Sequence, residues 1–193
     1  MSKFNMDYDK NDAIINDSGN FIKKSGVYFG TINKAVIRES KESDAWGVEI
    51  DFTTDTGEIM TTVVWVSNKD GAFTYIDKKT GKEEKLPGYK LFVSIFAVLE
   101  IEKIIVATNQ TTGVSGYAQL TGKKVGFAVQ REEKLNTAPD AKKPTYWNNN
   151  LQTVFNCQTK KSYAETKTNK EAKAHLKEYF DKPLNADQNT QVI

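Results

Sequence analysis

The order of elements along this chain predicts a mainly β fold: a five-stranded barrel with one helix between strands three and four, and an additional C-terminal helix. Three observations carry that expectation. Residues 25–102 open with three β-type runs in succession, the cleanest being Trp46, Val48, Ile50 and Phe52 alternating with Gly47, Glu49, Asp51 and Thr53. A charged hairpin ending in Leu86-Pro87-Gly88-Tyr89 then leads into Leu91, Phe92, Ile95, Phe96 and Leu99 at helical spacing. Two more alternating segments follow, residues 123–135 and 151–157. Three strands, a helix and two strands is the connectivity of an OB-fold, whose commonest cargo is single-stranded nucleic acid.

Residues 1–24 show little periodicity and carry Asn11-Asp12, Asn16-Asp17 and Ser18-Gly19-Asn20, so a flexible N-terminal arm is expected ahead of a domain over residues 25–165. Strand one, Val27 to Arg38, places Val27, Phe29, Thr31, Ala35 and Ile37 on one face and Tyr28, Ile32, Lys34 and Arg38 on the other. Gly30 permits a bulge there, and a bulge would exchange the two faces beyond it. After a polar connection over 39–44 and strand two, Asp55-Thr56-Gly57 turns the chain into strand three, Met60 to Val66. Asn68 to Gly71 turns it again into Phe73 to Ile76, and 77–85 reads as a lysine-rich loop or hairpin tip. The helix that follows is expected to plug the barrel bottom. Residues 105–120 look like an irregular insertion, and 136–150, with two prolines and Tyr146-Trp147, a loop between the last two strands. Ala172, Leu176, Tyr179 and Phe180 predict a C-terminal helix over 166–182, with 183–193 a disordered tail.

Composition narrows the function. The 193 residues are 38% hydrophobic and 27% charged, which suits a globular chain with a thin core. A single cysteine, Cys157, excludes a disulfide framework and a cysteine-based zinc site, and its alternating surroundings suit an inert buried thiol. The net charge is only +2, but residues 121–147 hold six cations against three anions while residues 1–20 hold two lysines against four aspartates. A basic face in the second half is therefore expected, without a strongly basic protein. Residues 1–20 lack a leader pattern and the longest apolar run, near Leu91 to Leu99, is too short for a membrane span, so a soluble intracellular protein is expected.

Catalytic signals are weak. His175, the only histidine, lies among lysines with no second ligand nearby. Glu49 and Asp51 share one face of strand two, where an outward polar face explains them better than a magnesium site. Phosphate-loop, dinucleotide, nucleophile-elbow and zincin motifs are absent from the sequence. No enzyme, metal or cofactor is expected.

Gripping a single strand needs cations that track phosphates and rings that stack on bases, and the chain offers both among its 21 aromatic residues, counted as 3 Trp, 8 Tyr and 10 Phe. Tyr28 and Trp65 fall opposite core-facing neighbours, where base contact and a second layer of packing are both open. Phe73 and Tyr75 lie beside Lys69, Lys78, Lys79 and Lys82. Tyr146 and Trp147 are flanked by Lys142 and Lys143 in a loop that would border the groove of an OB-fold, the alternative being that they anchor that loop. Lys34, Arg38 and Lys41 on strand one and its loop, with Arg131 further on, complete the candidate phosphate contacts. Such contacts carry little base identity, so sequence-tolerant binding is expected.

Four segments in order, Ser25-Gly-Val-Tyr-Phe-Gly-Thr-Ile-Asn-Lys-Ala, Trp65-Val-Ser-Asn-Lys-Asp-Gly, Phe73-Thr-Tyr-Ile-Asp and Leu86-Pro-Gly-Tyr89, make residues 25–135 resemble the single-stranded DNA-binding proteins of tailed bacteriophages. The resemblance implies an OB-fold that coats single-stranded DNA during phage replication, recombination and repair in the cytoplasm of the infected bacterium, alongside replication or recombination proteins. It departs from many such binders at the C-terminus, where 185–193 carries only Asp187 and no acidic cluster for recruiting partners. Assembly state, monomer or dimer, is left open, and the alternative is a non-catalytic phage interaction or structural module.

Overall fold

In a computed structural model that describes residues 20–135 and 144–172, three long antiparallel strands follow one another as the alternation requires: β1 (Gly26–Glu39), β2 (Trp46–Thr54) and β3 (Ile59–Trp65). A separate two-stranded hairpin, β4 (Thr74–Ile76) with β5 (Glu83–Lys85), precedes helix α1 (Pro87–Val98). The segment expected to be irregular holds a short hairpin, β6 (Ala107–Thr108) with β7 (Ser115–Gly116), and a 3-10 turn over Ala118–Leu120. Then come β8 (Lys124–Leu135), β9 (Thr145–Asn156) and helix α2 (Tyr163–Thr168). The fold is thus mainly β: seven strands form one antiparallel sheet in the order β3-β2-β1-β7-β6, with β8 also paired to β1 and β9 to β8.

Strand β1 organises the sheet because it is shared. Its first half pairs with β8 from Gly26 to Thr31, and from Gly30 to Glu39 it pairs with β2. The register slips between Ile32 and Lys34, so the bulge falls at Asn33 rather than at Gly30. Ile32 therefore turns inward and is fully buried, in contrast to its expected place beside Lys34 on the outer face. Gly30 serves close approach instead, since a Cβ there would stand 2.1 Å from the Thr53 carbonyl oxygen.

The inward residues of β1, β2, β3, β8 and β9, among them Ile32, Ile50, Phe52, Met60, Phe127 and Val154, form one core with α1 laid across it. The helical stripe delivers Phe92, Ile95, Phe96 and Val98 to that core, each such side chain contributing about 1.5–3 kcal/mol by leaving water. Phe52 meets Phe127 edge to face at 4.9 Å, tying β2 to β8.

Three elements differ from the expected boundaries. Residues 20–24 form a strap rather than a free arm: Ile22 is buried in the core, its N–H donates to the Ile59 carbonyl at 3.1 Å, and the Ile59 N–H donates to the Asn20 carbonyl at 2.7 Å. Strand β9 begins at Thr145, so Tyr146 and Trp147 lie on a strand, paired with Lys134 and Glu133, and not in a loop. Helix α2 starts earlier than 166 because Ser162 and Glu165 make a reciprocal capping box, and it ends where Asn169 takes a left-handed conformation at φ 51°. Residues 170–172 are not helical, and the rest of the expected helix, with His175 and the 183–193 tail, lies outside the described residues.

Among the described residues no ladder joins β3 to β9, yet the two strands approach each other. The Thr62 hydroxyl donates to the Asn149 carbonyl at 2.8 Å, and the Asn149 amide donates to the Ile22 carbonyl at 3.4 Å, so the strap bridges the gap. Among the described residues no helix is long and apolar enough to cross a membrane.

Candidate nucleic-acid interface

Rings and cations gather in three places. The first is the outer half of the β8–β9 hairpin. Adjacent strand residues point to opposite faces, so the exposure of both Tyr146 (48%) and Trp147 (54%) means that both faces of this ribbon are open to solvent. The Arg131 guanidinium lies over the Trp147 ring at 4.4 Å from its centroid, and its Nη1 donates to the Lys23 carbonyl. One face of the indole is thereby fixed against a cation while the rest of the ring remains accessible. Lys134 on the same ribbon is paired with Glu132 at 3.4 Å. Lys142 and Lys143 lie outside the described residues.

The second place is the far end of β3. Trp65 points away from the buried Val64 and Val66 and is 47% exposed. Its cross-strand partner is Gly47, which puts no side chain beside the indole. Helix α1 begins against this strand end: a Cβ at Gly88 would stand 1.9 Å from the Trp65 carbonyl oxygen, so Pro87-Gly88 lets the helix start in contact with β3. A groove beside Trp65 runs between β3 and β9, lined by Thr62, Leu91, Asn150 and Gln152.

The third is the β4–β5 hairpin. Tyr75 is exposed on β4, and Lys78, Lys79 and Lys82 are exposed in the hairpin tip with no ion pair among the described residues. Phe73 differs from Tyr75, because its ring packs against Trp46 at 5.4 Å, edge to face, and against Tyr89 at 5.4 Å. These contacts hold the hairpin to β2 and α1 and leave the ring only partly exposed. Lys69 and Lys41 are exposed in neighbouring turns, joined through the Asp44 N–H donating to the Lys69 carbonyl at 3.0 Å.

Three expected contacts are engaged elsewhere. Lys34 pairs with Glu49 at 3.1 Å and Asp51 at 3.6 Å, and Arg38 grips Glu49 through two hydrogen bonds of 2.7 and 2.9 Å. These cations neutralise the acids of strand two rather than offering free charge to phosphate. The Arg38 hydrogen bonds, helped by Lys34, hold the Glu49 carboxyl below the usual carboxylate range despite its partial burial. Tyr28 is half-buried against the core and its hydroxyl donates to the Lys24 carbonyl at 2.8 Å; burial, then the Glu58 charge, raises its pKa.

Phe21 was absent from the sequence-derived set. It is 51% exposed on the strap, bridged to Ile59, and the signal for it was an aromatic residue followed within three positions by Lys23-Lys24. Among the described residues no group of three or more His, Cys, Asp or Glu could hold a metal ion. No protein-family model matches the chain, and no curated protein matches it in sequence.

Proposed function

We propose that this chain is a non-catalytic, sequence-tolerant single-stranded DNA-binding protein on an OB-type scaffold, in which β1, β2, β3, β8 and β9 are the five barrel strands and α1 the helix between the third and fourth. The shared β1, the strand-strand-strand-helix-strand-strand order and the strap between β3 and β9 support that reading. Its setting would be the coating of transient single strands during phage replication, recombination and repair in the infected bacterial cytoplasm, next to replication or recombination proteins.

The observation that carries the proposal is the exposed Trp147 ring stacked on Arg131, with a second exposed indole, Trp65, at the other end of β3. Thr62 meets Asn149, and the groove that holds Trp65 also holds Gln152, so β3 and β9 run the same way and Trp147 lies toward the Ile59 end. Between Ile59 and Trp65 the strand spans about 20 Å, a length that accommodates several nucleotides. The unpaired lysines of the β4–β5 hairpin extend the path past Trp65.

Titration with oligo-dT tests this. Tryptophan fluorescence is expected to be quenched, with Trp65→Phe and Trp147→Phe each removing part of the signal; an unchanged spectrum at saturating oligonucleotide would refute it. Exposed Ile104, Ile105, Val106 and Val114 near the β6–β7 hairpin favour a second reading, a protein-docking module, which predicts a stable protein complex and indifference to oligonucleotides.

A further inference from the structure

We infer that the N-terminal strap is part of the binding site: Phe21 supplies a second stacking ring beside Trp147, Lys23 and Lys24 supply phosphate contacts, and Arg131 locks strap and ring together. The inference rests on the single-strand reading above and adds to it residues 20–24, which the lack of periodicity and the turn-forming residues assigned to a flexible arm.

The strap is fixed in place by its backbone. Ile22 faces inward and is 1% exposed, which in an extended segment sends Phe21 and Lys23 outward. Phe21 bridges to Ile59, and the two rest side by side with 51% and 38% of their surfaces exposed. A ring serving only to seal Ile59 would cover it and be covered by it. The Arg131 side chain reaches both partners at once, donating to the Lys23 carbonyl while lying over Trp147 at 4.4 Å, and its backbone N–H donates to the Ser25 hydroxyl at 3.0 Å. About 7 Å of extended chain separates Phe21 from Lys23, whose carbonyl receives the guanidinium that lies over Trp147, so strap and ribbon present the two rings on adjoining elements. Lys23 and Lys24 are exposed and have no ion pair among the described residues, unlike Lys34, Arg38, Lys124 and Lys134.

The test uses the full chain and a fluorescein-labelled oligo-dT read by anisotropy. Phe21→Leu keeps the apolar bulk and removes the ring, and it is expected to weaken binding by about fivefold or more, the loss of one stacked base, with an unchanged melting midpoint. Phe21→Trp is expected to bind as the wild type does and to add emission that oligo-dT quenches. Replacing Lys23 and Lys24 with Gln is expected to make the slope of log K against log salt shallower by about 1.4, from roughly 0.7 per phosphate. Wild-type affinity in Phe21→Leu, a loss matched by a lower melting midpoint, or unquenched emission from Phe21→Trp would each overturn the strap's role while leaving the single-strand reading intact. A wild-type chain that ignores oligo-dT would instead remove the reading on which the strap's role rests.

Discussion

Trp147 combines a ring face pinned on Arg131 with more than half of its surface in solvent. Stacking on an aromatic side chain is worth about 1–3 kcal/mol per base, so Trp147→Ala is expected to weaken oligo-dT binding roughly 5- to 150-fold, as read by anisotropy. Its melting midpoint should scarcely move, because surface substitutions usually stay within about 0.5 kcal/mol. Glu49 makes the opposite kind of prediction, one in stability and not in binding. Its folded pKa is depressed by Arg38 first and Lys34 second, so its contribution is present above the unfolded glutamate value and is lost as pH falls through the folded one. Acid titration of the melting midpoint should therefore show a decline that Glu49→Gln flattens. Alternation placed Glu49, Lys34 and Arg38 on outer faces, but it could not say that they would meet one another. That follows from the β1–β2 register, which pairs Lys34 with Asp51 and Val36 with Glu49.

Two elements position the candidate site, and each has a residue that can be removed to test it. The strap depends on Ile22, whose side chain is buried; Ile22→Ala is expected to destabilise the fold by about 2–5 kcal/mol, measurable by urea unfolding, and to weaken binding through the loosened strap. Helix α1 depends on Gly88, where any Cβ would collide with the Trp65 carbonyl; Gly88→Ala should cost about 1–3 kcal/mol and disturb Trp65 fluorescence without added DNA. The three-strand meander, the helix and β8 were legible because periods of two and 3.6 are local properties. The strap was not, since one buried isoleucine in a polar segment gives no period and its backbone partners lie at Ile59 and Asn149, far along the chain. The start of β9 was hidden for a related reason: Pro144 and the asparagines at 148–150 argue for a loop, yet pairing with β8 from Leu135 onward overrides that local preference. The bulge was foreseen in kind but not in place, because Gly30 had the permissive backbone while the register slip occurs at Asn33.

Over the whole molecule the net charge is only +2, so what matters is which cations are left without a carboxylate partner. The acids of strand two are held by Lys34 and Arg38, whereas Lys78, Lys79 and Lys82 at one end of β3, and Lys23 and Lys24 at the other, have no ion pair among the described residues. On the proposed reading, single-stranded DNA follows the exposed rings and these lysines, and its affinity combines stacking with counterion release. Duplex DNA, whose bases are stacked on one another, can use only the second term. The most direct measurement is the affinity of the full chain for a labelled oligo-dT and for a duplex of equal length across a series of salt concentrations. Expected are a preference of about tenfold or more for the single strand, equivalent to the loss of about one stacked base, and a linear fall of log K with log salt of about 0.7 per phosphate neutralised. Equal affinity for the two forms, or single-strand binding that ignores salt, would contradict a surface built from exposed rings and unpaired lysines.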